Sequence, residues 1–217
     1  MAKSKIIVLI PSYNELVSLK KFLPLLNKKY KFLIINDCSI DETEKYLKGK
    51  KYSFISNKKR LGYEKSLIKG FKYILKTFKF AKYIITFDGD NQHFVEDIKK
   101  FNDIIKKKKP VLIIGNRKKY NRYLEVFISY IFFKKFKVRD PLSGFKAYQT
   151  KVLKKNINQL RGGLYLVDLT KLLIQKYRNT SNIRVNIRKR FGSPKIGGFF
   201  RVSIKMIKIL IFIILSN

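Results

Sequence analysis

Two of the chain's 14 acidic residues stand two apart in Thr86-Phe87-Asp88-Gly89-Asp90-Asn91-Gln92-His93, in a protein of 217 residues whose formal net charge is +36. In extended chain, side chains at i, i+2 and i+4 point the same way, so Asp88, Asp90 and Gln92 would converge on one point. Three converging oxygens suit a hard divalent cation. Mg²⁺ or Mn²⁺ is typically held by one or two carboxylates together with water and a substrate phosphate, which fits an open site better than a closed cage. The competing explanation is a solvated turn, where Asp, Gly and Asn are common for conformational reasons.

The elements that position this octet follow from the apolar pattern. Tyr83-Ile84-Ile85-Thr86-Phe87 is β-branched and aromatic, as a buried strand requires, and Gly and Asn after it signal a turn. Similar runs at 6–10, 32–35, 52–55 and 111–114 alternate with amphipathic stretches at 16–27, 41–48, 66–78 and 94–106. This alternation predicts an α/β fold, a largely parallel sheet covered by helices. Ligands of such sheets bind beyond the carboxyl ends of the strands. Polar clusters fall at those ends: Pro11-Ser12-Tyr13-Asn14-Glu15, Asn36-Asp37-Cys38-Ser39, Asp88-Gly89-Asp90 and Gly115-Asn116-Arg117.

Composition narrows the partners. A balance of 50 Lys and Arg against 14 Asp and Glu attracts polyanions, whether nucleic acid, anionic lipid or phosphorylated substrates, although a compositional bias toward Lys and Ile would produce part of the excess. No nucleic-acid-binding pattern accompanies the basic clusters, and no nucleic-acid partner is expected. One cysteine, Cys38, and one histidine, His93, exclude a disulfide framework and a zinc site and point to a reducing, cytoplasmic setting. The amino-terminal apolar run is too short for a signal peptide and reads as the first core strand.

The carboxyl-terminal third is more apolar. Residues 123–138 read as a core helix or an interfacial one, given the number of aromatics to be hidden. Residues 204–215 are apolar except for Lys205 and Lys208. As a helix they span about 18 Å, short of the roughly 30 Å hydrocarbon core of a bilayer. Such a helix, with Arg201, Lys205 and Lys208 at helical spacing, can lie in a membrane face; packing against the domain is the alternative. The chain is therefore divided into a domain over 1–200 and an amphipathic, membrane-associated helix over 201–217.

Taken in order, the motifs resemble those of family 2 glycosyltransferases of the GT-A fold, and within them the dolichyl-phosphate mannosyltransferase and polyprenyl-phosphate glycosyltransferase branch. Pro11-Ser12-Tyr13-Asn14-Glu15 resembles P-x-Y-N-E, and the segment from Ile35 to Thr43 resembles V-D-D-G-S-x-D-G-T. Leu61-Gly62-Tyr63-Glu64-Lys65-Ser66 is similar to L-G-x-G-x-A, and Asp88-Gly89-Asp90-Asn91-Gln92-His93 to D-A-D-x-Q-H. Glu96-Asp97-Ile98 is similar to P-E-D-I, Gly115-Asn116-Arg117 to G-S-R, and the segment from Asp140 to Tyr148 to D-x-x-S-G-F-R-A-Y. Arg190-Phe191-Gly192-Ser193-Pro194-Lys195 is similar to R-x-G-x-S-K.

The resemblance implies a Rossmann-like GT-A sheet and assigns roles. Pro11, Tyr13, Glu15, Asp37, Asp88 and Asp90 would hold the nucleotide-sugar donor, GDP-mannose or UDP-glucose. Asp88, Asp90 and Gln92 would bind Mg²⁺ or Mn²⁺ on the donor diphosphate. Arg117, Arg139, Ser143, Arg190 and Lys195 would gather phosphate oxygens of a polyprenyl phosphate acceptor, with Asp90 and Arg117 closest to the chemistry. The expected reaction is an inverting transfer of a hexose at the cytoplasmic face of a membrane, by a peripheral or monotopic enzyme. An ionised lipid phosphate needs little help from a general base, in keeping with the lack of an obvious base motif. The chain has no Trp and so cannot carry Q-x-x-R-W, which disfavours processive synthesis. A relative that glycosylates a hydroxyl is the main alternative; it needs a base, for which Asp140 is the leading candidate.

Departures from the motifs bear on fine specificity. Asn36 replaces an Asp, Cys38, Glu42 and Glu64 replace glycines, and Lys146 replaces an Arg. At Cys38 and Glu42 the change predicts turns that tolerate negative φ or a different local geometry.

Overall fold

The structure is a computed structural model and describes residues 5–120, 122–160, 163–189 and 199–215. Strand β1 (Ile6–Ser12) is fully buried and is followed by helix α1 (Leu16–Lys29), β2 (Lys31–Asn36), α2 (Thr43–Gly49), β3 (Phe54–Ser56) and α3 (Tyr63–Thr77). Next come β4 (Tyr83–Thr86), α4 (Ile98–Lys108), β5 (Leu112–Arg117), α5 (Tyr123–Phe136), β6 (Lys146–Gln149), α6 (Thr150–Asn156), α7 (Val167–Tyr177), β7 (Thr180–Val185) and α8 (Phe199–Leu215). The expected strands and helices are present with shifted ends: at α4 a 3₁₀ turn at Val95–Asp97 precedes a helix that runs on to Lys108, and the last helix begins at Phe199, before residue 204.

The strands form one sheet in the order β3-β2-β1-β4-β6-β5-β7. All pairings are parallel except those of β6, which runs antiparallel to both β4 and β5. One reversed strand has a large consequence. The carboxyl ends of β1, β2, β4 and β5 share an edge, and the beginning of β6 is the end that reaches it, with Lys146 opposite Thr86 and Ile114. The residues just before β6 thereby meet those just after β4.

Period-two alternation divides the core. Ile7, Leu9, Leu33 and Ile35 join one cluster with residues of α3, α5, α7 and α8, whereas Ile6, Val8, Ile10 and Ile34 join another with α1 and α4. Both faces of the sheet are covered, which explains why its strands read as continuous apolar runs. Helix α8 belongs to the first cluster through Val202, Met206, Ile209 and Ile213. Its last turn receives Lys135 of α5, whose ammonium donates to the carbonyls of Ile213 at 3.1 Å and Ile214 at 2.7 Å. A cation on the exposed carbonyls of a helix end complements its dipole. Among the described residues no helix is long and apolar enough to cross a membrane.

Candidate active site

A cleft of about 240 Å³ opens at the carboxyl edge of the sheet. It gathers Pro11, Tyr13, Glu15, Asp37, Asp88, Asp90, Gln92, Arg117 and Ser143, and adds Arg60, Tyr63, Glu125, Leu142, Tyr165, Val202 and Met206. Arg139 lies elsewhere, in a separate basic cavity with Lys118 and Arg184, which Arg117 also lines. Arg190 and Lys195 fall outside the described residues.

Asp88 and Asp90 reach the cleft by a turn and not by extended chain, contrary to the alternation that placed them together in the sequence. Strand β4 stops at Thr86, and Asn91 adopts φ 59°. Asp90 is 8% exposed, and its Oδ1 accepts from the backbone N–H of Gln92 at 3.1 Å, closing the turn. Two glycines permit the tight packing. A Cβ on Gly89 would lie 2.9 Å from the Pro11 carbonyl oxygen, and one on Gly144 would overlap the Asp88 carboxylate itself. The reversed strand β6 thus brings backbone, with no side chain, against the motif.

Asp88 is held from two sides. The Tyr63 hydroxyl donates to Oδ1 at 3.0 Å and His93 Nε2 lies 3.2 Å from Oδ2. Burial works to raise the Asp88 pKa, but His93, Tyr63 and Arg117 outweigh it and keep the carboxyl below its usual range. Burial, reinforced by the Asp88 charge, lifts the Tyr63 phenol well above its ordinary value, so it remains a donor. The His93 ring packs on Phe145 with centroids 4.8 Å apart. Neither Tyr63 nor His93 stood out as a site residue in the sequence, although His93 closes the octet.

The donor set fits a cation shared with a substrate. Among the described residues no three His, Cys, Asp or Glu side chains form a metal cage. Two carboxylates and the Gln92 amide border an open cleft, which is what a cation completed by substrate phosphates requires. The Gln92 amide nitrogen faces the Arg188 carbonyl at 3.4 Å, which leaves its oxygen as the group available to an ion.

Around the first two strands the site is rigid. Both carboxylate oxygens of Asp37 are engaged: Oδ1 accepts from the Asn57 amide and the Leu61 N–H, and Oδ2 from the Gly62 N–H, each at 2.8 Å. Asp37 therefore fixes the loop that leads into α3 while lining the cleft. Glu15, 7% exposed, accepts from the Ser18 hydroxyl at 3.1 Å. One face of Tyr13 is covered: the Arg60 guanidinium stacks on the ring 3.9 Å from its centroid. Cys38 keeps φ at 61°, so this turn retains the left-handed geometry and does not shift to negative φ; at Glu42 φ is −72°.

Arg117 is not an open phosphate fork. Its Nε and Nη2 donate to the two oxygens of Asp140 at 2.9 and 2.8 Å, its backbone N–H donates to the same carboxylate, and Nη2 lies 3.1 Å from Glu125. Burial alone would lower the Arg117 pKa, but these acids raise it. Asp140 is fully buried, and its backbone N–H donates to the Ser129 hydroxyl at 3.0 Å. That seals it from any acceptor, so it is a poor candidate for a general base, and Asp140→Asn would report on stability before chemistry. Ser143 is 2% exposed and caps the turn into β6 by accepting from the Phe145 N–H. Arg139 stacks on Phe133 at 4.4 Å. Lys146, wholly buried, donates to the Pro141 carbonyl at 2.6 Å, so the residue that replaces the motif's Arg braces the same turn.

Comparison with known proteins accords with this architecture. Residues 7–163 match the model of the family described as Glycosyl transferase family 2. The uncharacterized protein MJ1222 of Methanocaldococcus jannaschii is 28% identical over 238 residues, covering 97% of this chain and 94% of that protein. A second protein of the same organism, MJ0544, is 34% identical over 52% of each chain. Among solved structures, glucosyl-3-phosphoglycerate synthase from Mycobacterium tuberculosis in complex with Mn²⁺, UDP-glucose and phosphoglyceric acid superposes with a TM-score of 0.71 at 13% identity, over 96% of this chain and 78% of that one. Its complex with Mn²⁺, UDP-glucose and glycerol 3-phosphate gives 0.69 at 13% identity, over 94% and 77%. At that identity the likeness concerns the fold, which is GT-A-like, while the family model spans well over half of the sequence: the chain belongs to glycosyltransferase family 2.

Proposed function

We propose that this glycosyltransferase transfers a hexose, mannose or glucose, from a nucleotide diphosphate sugar to a polyprenyl phosphate at a membrane surface, with inversion at the anomeric carbon. The observation that carries the reading is the composition of one cleft, whose lining combines the Asp88 and Asp90 carboxylates and the Gln92 carboxamide with the apolar Leu142, Tyr165, Val202 and Met206. Asp88, Asp90 and Gln92 would hold Mg²⁺ or Mn²⁺, whose contribution when bound is to neutralise charge on the departing diphosphate. Tyr13, Glu15 and Asp37 border the space for the nucleoside. An acceptor phosphate oxygen attacks the anomeric carbon, the bond to the diphosphate breaks, and the nucleoside diphosphate leaves with the electron pair. The acceptor arrives ionised, so no base is demanded of Asp140. Proximity within the cleft supplies much of the rate.

The membrane setting is supported by exposed apolar side chains on two packed helices. Val126, Phe127 and Tyr130 of α5 and Ile204, Ile207, Ile211 and Ile214 of α8 are each 41–55% exposed, beside the lysines Lys134 and Lys208. Such a face with a basic rim matches an anionic bilayer interface. A second reading takes its support from the solved structures of the mycobacterial synthase, which hold phosphoglyceric acid or glycerol 3-phosphate: a small, soluble phosphorylated acceptor. One assay separates the two. Purified protein receives labelled GDP-mannose or UDP-glucose, Mn²⁺ or Mg²⁺, and either polyprenyl phosphate in anionic vesicles or 3-phosphoglycerate. Label in the organic phase supports the first reading; label confined to a water-soluble product, or no transfer to lipid from any donor, sinks it.

A further inference from the structure

Glu64, which replaces a glycine of the L-G-x-G-x-A motif and does not line the cleft, is 5% exposed, which is unusual for a carboxylate. An acid in the first turn of α3 would favour the helix dipole from the surface, but this one turns inward. Its Oε2 accepts from the N–H groups of Gly163 and Tyr165, its Oε1 from Leu166 at 3.1 Å, and Lys205 Nζ of α8 stands 3.8 Å from Oε2. These partners lie about a hundred residues or more away in the sequence. The loop they hold is strained: Tyr165 and Leu166 adopt φ of 51° and 57° in succession, after Gly163 at 114°. Left-handed backbone at consecutive non-glycine residues persists only where the surroundings over-determine it, and the converging N–H groups on one buried anion do so.

The held loop faces the cleft. Tyr165 lines it, sits edge-on to Tyr63 at 6.3 Å, and carries the Lys205 ammonium 3.6 Å from its ring centroid. Val202 and Met206, on either side of Lys205, line the same cleft. Tyr63 in turn donates to Asp88. One carboxylate therefore joins the start of α3, the 163–166 loop and the carboxyl-terminal helix around the part of the cleft lined by Tyr165, Val202 and Met206.

We propose that Glu64 is the positioning residue of the acceptor side: it holds the 163–166 loop directly and α8 through Lys205, so that Tyr165, Val202 and Met206 form the wall that the acceptor meets. The inference rests on the sugar-transfer reading of the cleft for its functional half, and on the geometry alone for its structural half. Helix α8 then has two tasks on opposite faces, with its inner face part of the site.

The test uses the full chain with Glu64→Ala, Glu64→Gln, Lys205→Met and the double variant Glu64→Gln/Lys205→Met. Amide hydrogen exchange without any ligand should quicken about tenfold over 163–170 and 202–213 in Glu64→Ala, while β1 and β4 keep their protection; unchanged exchange in α8 overturns the proposal. In the transfer assay the acceptor KM should rise about tenfold, as loss of a charged hydrogen-bond network implies, with donor affinity by calorimetry within about twofold of the parent. An equal loss of donor and acceptor affinity, or a kcat loss at unchanged acceptor KM, overturns it. The double variant should lose less than the sum of Glu64→Gln and Lys205→Met, because part of the Lys205 effect passes through Glu64; fully additive effects refute that link. Should Glu64→Ala fail to fold, Glu64→Gln and Lys205→Met carry the same comparison. Failure of the sugar-transfer reading would show in the parent protein as absent donor-dependent turnover, and the exchange result would still decide the structural half.

Discussion

Asp37 and Arg117 occupy comparable places, each at the carboxyl end of a strand and each lining the cleft, yet their partners differ in kind. Asp37 accepts from backbone N–H groups of a loop about 25 residues on and fixes the entry to α3. Arg117 is committed to Asp140 and Glu125, two of the few acids in a chain of net charge +36. Near β4 one carboxylate, Asp88, stays partly exposed in the cleft, whereas at the end of β5 the most central cation is neutralised from within. An excess of Lys and Arg therefore overstates how much positive charge the cleft offers. The Arg117–Asp140 pair instead acts as a rigid post between the cleft and the basic cavity of Arg139 and Arg184.

The sharpest break of this comparison is Asp140→Asn. Arg117 is 13% exposed and Asp140 wholly buried, so removing one charge leaves the other poorly compensated, at a cost of about 3–5 kcal/mol. Urea denaturation should show that loss, and a measured loss below about 1 kcal/mol would mean the pair is not the post described here. Asp90→Asn acts on the donor side and should leave folding nearly intact. Loss of one preorganised electrostatic contact at the developing charge lowers kcat by about 10²–10³-fold. Titration of Mn²⁺ against the residual rate should also show weaker dependence on the ion; full activity with unchanged metal response would remove Asp90 from the site.

Lys146 extends the contrast to pH. Burial pushes its ammonium down to about 8 from 10.5. Below about 8 the group is charged in both the folded and unfolded chain, and the folded state carries the whole burial penalty. Between about 8 and 10.5 the folded chain releases the proton that the unfolded chain retains, so this group makes stability rise with pH across that window. Lys146→Met should flatten the rise relative to the parent protein in denaturation curves taken from pH 7.5 upward. Parallel curves for the two proteins would show that Lys146 titrates normally.

The same division governs what could be read from sequence. Strands β1, β2, β4 and β5 are apolar runs, and the polar residues at their ends marked where the cleft lies. Strand β6, Lys146–Gln149, is buried but only four residues long and opens on a lysine, and β7, Thr180–Val185, is a half-exposed edge strand; neither shows an apolar run. Roles on the acceptor side were less legible for a different reason. Whether an arginine binds a ligand or an internal acid depends on partners fixed only by the fold: Asp140 lies 23 residues from Arg117, and Leu166 lies 102 from Glu64. Arg60 illustrates the limit, since nothing local distinguishes it from the other cations in Lys58-Lys59-Arg60.

Arg60 also yields the smallest expected effect. It stacks on Tyr13 at 3.9 Å from an exposed position, where such a contact is worth a few tenths to about 1 kcal/mol. Its guanidinium packs on the Tyr13 ring and adds positive charge to the cleft, where the proposed donor would bind. Arg60→Ala should therefore weaken donor binding by about two- to fivefold, with little change in kcat, and the difference should shrink in high salt as the charge contribution is screened. Tighter donor binding in Arg60→Ala would carry the opposite meaning: the nucleoside would displace the guanidinium from Tyr13 instead of binding beside it, and the aromatic face would be the true seat of the base.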